Sequence, residues 1–200
     1  MKQVITLALC CLLSLSSLAQ SDKTIIQNHV ETYFEYMTNQ NFDGVLDYMY
    51  PKVFDMAPRS QMKLGMEQMF NAEGMKIAFL SNDVTNVSDL IDFEGKNYAL
   101  INYNSKMKMT FLSEQNQPEE DQKGFLTFMK ATMETQFGEG NVTDELETMS
   151  LIVNMDATMY AIKDPNYEGW KLLGNDDAMK TLVDTIIPEE VKSKVQNEKE

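Results

Sequence analysis

Cysteine is nearly absent from this chain: the two present, Cys10 and Cys11, sit side by side in an apolar N-terminal run. Beyond them nothing can form a disulfide, a zinc–thiolate site or a thiol nucleophile. Histidine is scarcer still, and a single one, His29, cannot build a multi-histidine metal centre. No glycine-rich phosphate loop, nucleophile elbow or metalloprotease helix occurs, so the common nucleotide and hydrolase chemistries lack their residues. No cofactor and no metal is expected. Positive charge is also short: 17 basic side chains face 31 acidic ones, a net charge of -14. Such a chain repels phosphate backbones and anionic headgroups, which excludes nucleic acid and the membrane surface as partners.

Only one long hydrophobic run exists, and it lies at the start. Lys2 precedes an apolar stretch from Val4 to Leu18, and the small residues Ser17 and Ala19 are spaced for cleavage before Gln20. This pattern predicts a signal peptide over 1–19 and a secreted or periplasmic protein, with no membrane insertion after cleavage. Bulky residues, Leu9 and Cys10, precede the two cysteines where lipid attachment needs a small one. Cleavage removes Lys2 and takes the net charge to -15. Residues 20–200 show no linker and no internal repeat, and are read as a single domain large enough to bury a core.

Periodicity predicts helices first and strands later. Ile26, Val30, Tyr33, Phe34 and Met37 recur at helical steps, and Phe42, Val45, Leu46 and Met49 mark a second, shorter helix stopped by Pro51. Val53–Met56 reads as a short strand, and a third helix starts near Ser60 as its cap. Residues 84–93 and 97–112 form a hairpin about Glu94-Gly95. On its second strand Ala99, Ile101, Tyr103, Met107, Met109 and Phe111 alternate with Asn102, Asn104, Lys106 and Lys108. A second hairpin turns at Asp164-Pro165-Asn166, with Met149, Leu151, Val153, Met155, Ala157 and Met159 on one face. Between them, residues near 119–138 carry a helical insertion, and Met179, Leu182, Val183 and Ile186 mark a C-terminal helix. The fold class is α+β: a curved antiparallel sheet packed against N-terminal helices.

The run from Tyr33 to Val45, with Asn39-Gln40-Asn41-Phe42-Asp43-Gly44 between two helices, and the strand Gly169-Trp170-Lys171-Leu172 resemble the nuclear transport factor 2-like superfamily. That resemblance implies a cone-like domain. It also implies, for isomerase-type members, a tyrosine oxyanion donor at Tyr33 and a proton-abstracting aspartate before the proline leading to the third helix. Ala57 holds that place, with Asp55 two residues earlier, and a methyl group cannot accept a proton. Dehydratase and cyclase members use His–Asp pairs, which points to His29 with Asp156.

In such a fold Tyr33, Tyr103, Met107, Met155, Met159 and Trp170 point between sheet and helices, a candidate pocket with His29 and Asp156 as its polar groups. Methionine is abundant, 16 in all. Thioethers sharing faces with Leu151, Val153 and Ile101 suit a core or an adaptable apolar pocket better than a copper(I) site. The expected function is non-catalytic binding of a small apolar or amphipathic ligand. The alternatives are an interaction module that forms a homodimer through the outer sheet face around Leu100, Asn102, Tyr160 and Ile162, and an enzyme of the dehydratase, cyclase or isomerase type.

Overall fold

Ile26, Val30 and Phe34 follow one another at helical turns and are all buried. The helix that carries them, α1, covers 22–38 in the computed structural model, which describes residues 22–197. The signal-peptide expectation for 1–19 lies outside those residues. Helix α1 ends where Gln40 takes a left-handed φ of 55°. Asn41 then accepts a hydrogen bond from the Gly44 N–H at 3.1 Å and opens α2, Phe42–Tyr48. Gly44 is needed there, because a Cβ would meet the Tyr36 ring at 2.7 Å. The expected strand at Val53–Met56 is instead a 3-10 turn, Pro51–Asp55. Pro51 sets the turn's φ, and Val53 N–H bonds to the Tyr50 carbonyl, so the segment closes on itself rather than seeking a strand partner. Helix α3, Arg59–Phe70, begins after Pro58 with no side-chain cap, one residue before the expected cap at Ser60.

Six antiparallel strands follow: β1 Met75–Val87, β2 Ile91–Phe93, β3 Lys96–Phe111, β4 Val142–Glu145, β5 Ser150–Lys163 and β6 Trp170–Gly174. The central pair, β3 and β5, stays in register from Asn97 opposite Lys163 to Thr110 opposite Ser150. Glu94 and Gly95, with φ of 50° and 74°, make the tight turn between β2 and β3 that their sequence predicts. β1 pairs with the far part of β3 through irregular steps at Phe79/Ser81 and Val84/Asn86. β4 and β6 lie end to end along the outer edge of β5: β4 pairs with Ser150 to Val153 and β6 with Met159 to Lys163. β4 is too short to show in the periodicity.

The sheet buries both faces, each against different helices. On one, α1–α3 and the long helix α4, Glu119–Phe137, cover the odd-numbered residues of β3 and β5. Phe125, Met129, Met133 and Phe137 of α4 pack beside Phe111, Leu151 and Val153, so this helix completes the core. On the other face α5, Lys180–Ile186, and α6, Glu189–Asn197, lay Leu182, Val183, Val191 and Val195 over Leu100, Tyr160 and Ile162. Those three residues, expected as an outer interaction surface, are only 5%, 4% and 1% exposed. They are apolar because the chain's own last helices sit on them; Asn102 is half-buried. Among the described residues no helix is long and apolar enough to cross a membrane.

Candidate functional site

Two apolar clusters occupy the face covered by α1–α4, and they do not merge. One joins Ile26, Val30 and Phe34 to Ile101, Met159 and Trp170; the other joins Phe42 and Phe70 to Met109, Leu151 and Val153. Between them the alternation of β3 drops to Ser105, and that of β5 drops to Ala157 opposite Tyr103. Small side chains on the sheet leave the helices standing off, and an open cavity of about 780 Å³ results.

Its walls carry both apolar and polar side chains. Tyr33, Phe34 and Met37 of α1 face Phe79 of β1, Tyr103 of β3 and Met155 of β5 across the space. The Phe34 ring lies 5.1 Å from that of Tyr103 and 5.6 Å from that of Tyr33, an aromatic corner at one end. The sheet side carries a polar pair, the Ser105 hydroxyl donating to Asn82 Oδ1 at 2.7 Å. Burial holds the Tyr33 phenol above its ordinary range, helped by the neighbouring Tyr103, and burial with the charge of Asp176 raises Tyr103. Both phenols are neutral donors at any ordinary pH.

The rim is built by chain ends. Helix α4 stops at Gly138, φ 94°, which brings Gln136 and Phe137 to the opening. Asn141 ties back to the Phe137 carbonyl at 2.7 Å. On the opposite side Asp176 accepts from the Met179 N–H at 3.0 Å and starts the turn that sets Asp177 and Ala178 at the rim. Asp156, Asp176 and Asp177 all line the cavity, and among the described residues no lysine, arginine or histidine does.

Of the residues singled out from sequence, Tyr33, Tyr103, Met155 and Asp156 meet at this cavity. Met159 and Trp170, 4% and 3% exposed, are packed into the first cluster, and Met107 packs against the second. His29 stacks on Tyr48, ring centroids 4.1 Å apart, and is not part of the cavity lining to which Asp156 belongs. Burial lowers its pKa despite a backbone hydrogen bond to Trp170, so the ring is neutral at pH 7. Asp55 lies exposed at the end of its 3-10 turn and, like Ala57, is not part of the lining. Residues that periodicity passed over include Phe79, Asn82 and Ser105. The available signal was the break in apolar alternation at Ser105. Among the described residues no group of three or more His, Cys, Asp or Glu side chains is placed to hold a metal ion. Comparison of the chain with protein-family models, with curated proteins and with solved structures finds no match.

Proposed function

We propose that the protein is an exported domain that binds a small apolar or amphipathic ligand in this cavity without transforming it. The observation that carries the reading is the pairing of size and lining: about 780 Å³ walled by four aromatic rings and two thioethers, Tyr33, Phe34, Phe79, Tyr103, Met37 and Met155. Ligand sites fall in the range of about 300–1,000 Å³ and combine such walls with a few convergent polar groups. Here the polar groups include the two neutral phenols and the Ser105–Asn82 pair, with the amides of Asn141 and Asn175 and the carboxylates of Asp156, Asp176 and Asp177 also in the lining. Thioethers adapt to irregular guests, which suits a ligand of variable shape. Kinship with the nuclear transport factor 2-like proteins is part of the proposal, supported by the order of helices and then antiparallel strands.

The test is titration with the neutral apolar dye N-phenyl-1-naphthylamine. The expected result is a saturable, one-site rise in fluorescence. Ala157→Phe, which fills the cavity from the sheet, should abolish the rise while leaving the circular dichroism spectrum unchanged. Dye binding that never saturates, or that is equal in the variant, removes the reading.

A further inference from the structure

The outer edge of β5 has a gap. Pairing with β4 ends at Val153 opposite Val142, and pairing with β6 begins at Met159 opposite Gly174. At one side Asn154 N–H reaches the Asn141 carbonyl at 2.9 Å, and at the other Asn175 N–H reaches the Thr158 carbonyl at 3.1 Å. Both bonds point away from β3. Because backbone groups of a regular strand alternate between its two edges, and the β3–β5 register is unbroken here, the N–H and C=O of Asp156 point the same way. Among the described residues no strand pairs with them. Between these two bonded positions, Asn154 and Thr158, the interval spans about 13 Å at the usual rise per residue. Its sides, Asn141 and Asn175, and its middle, Asp156, all line the cavity.

We propose that the gap is the entrance for an extended peptide, which adds as a short strand to β5 at Asp156 and inserts one large apolar side chain into the cavity. This rests on the ligand-binding reading above and names the ligand class. One residue of an antiparallel strand can exchange both of its backbone hydrogen bonds with Asp156, and strand addition of this kind draws affinity from the main chain and specificity from a side-chain pocket. Charge selects the peptide. Asp156, Asp176 and Asp177 stand at the opening with no basic residue in the lining among the described residues, and the whole chain is at net charge -14. Basic residues flanking the apolar one are therefore attracted and acidic ones repelled.

Fluorescence anisotropy with labelled hexapeptides tests this. The probes are a pool with two basic residues on each side of a central apolar pair, the same pool with glutamates as flanks, and a basic pool whose central amide is replaced by an ester. The basic pool should bind saturably. The glutamate pool should bind at least tenfold more weakly, and the ester, which lacks one N–H, several-fold more weakly. Ala157→Phe should abolish binding, and Asp156→Asn with Asp177→Asn should narrow the difference between flanks. Naphthylamine dye that binds and is not displaced by any peptide overturns this proposal and leaves the cavity reading standing. Failure of both dye and peptides overturns the two together. Peptide binding that persists undiminished in Ala157→Phe, or that is indifferent to the ester, also overturns strand addition.

Discussion

Asp164 is the clearest case of one residue holding a region together. It is 2% exposed at the turn between β5 and β6, and its Oδ2 accepts from Lys96 Nζ at 2.8 Å and from the Tyr50 hydroxyl at 2.7 Å. Its Oδ1 accepts from the Asn166 N–H at 2.9 Å. Burial alone would raise this carboxyl, yet the bonds from Lys96, Asn166 and Tyr50 hold it well below the usual carboxylate range. The same contact, added to burial, pushes the Tyr50 phenol up to about 12. A carboxyl with a depressed folded pKa contributes stability above its unfolded pKa, about 4, and loses it as the pH falls below that. Asp164→Asn should therefore cost about 3 kcal/mol at pH 7, at the low end for a broken buried pair because Lys96 still reaches water. Urea unfolding should show this difference, shrinking steadily as the pH is lowered from 4; a difference independent of pH would mean that charge is not what Asp164 supplies.

At the scale of elements, the last two helices act as one lid on the sheet face that carries Leu100, Tyr160 and Ile162. Asp184 of α5 bridges Lys192 of α6 at 2.7 Å and Lys180 of its own helix at 2.9 Å, and these bonds hold its carboxyl near 2. Such exposed pairs contribute little, and the attachment comes from apolar burial. Val191 is wholly buried in that cluster. Val191→Asp places an unpaired carboxylate there and should destabilise by about 3 kcal/mol or more. Urea unfolding measures this, and light scattering should show self-association, since a loosened α6 uncovers Leu100, Tyr160 and Ile162. A stable, monodisperse variant would mean that α6 is dispensable to the core. The long helix α4 has the corresponding role on the other face, where Phe125 meets Phe111 edge-on at 4.9 Å.

For the whole molecule, the consequence of its packing is a hollow between two cores. An interior filled to ordinary density would gain from every contact across that space, so the cavity is a local sacrifice of stability. Ala157→Val extends a β-branched side chain into it from a strand and should raise stability by about 1 kcal/mol, or Tm by about 2–4 °C in a domain of this size. Calorimetry checks this, and dye titration of the same variant should show weakened binding. A lower Tm would mean that the space beside Ala157 is already filled to contact.

The sequence by itself determined the α+β class, the tight turn at Glu94-Gly95, the hairpin at Asp164-Pro165-Asn166, the helix near 119–138 and the inward faces of β3 and β5. All are local: period and turn chemistry depend on neighbours a few residues apart. Tertiary structure decided the rest. Whether Met159 and Trp170 fill a core while Met155 and Tyr103 border a hollow depends on which helices stand over each stretch of sheet, and beyond the break at Ser105 the alternation does not distinguish them. Leu100, Tyr160 and Ile162 read as a docking face until α5 and α6 are seen to lie on them. The gap at Asp156 exists because β4 and β6, distant in sequence, stop short of each other along one strand edge. Periodicity reports which way a side chain faces; only the long-range arrangement decides what it meets there.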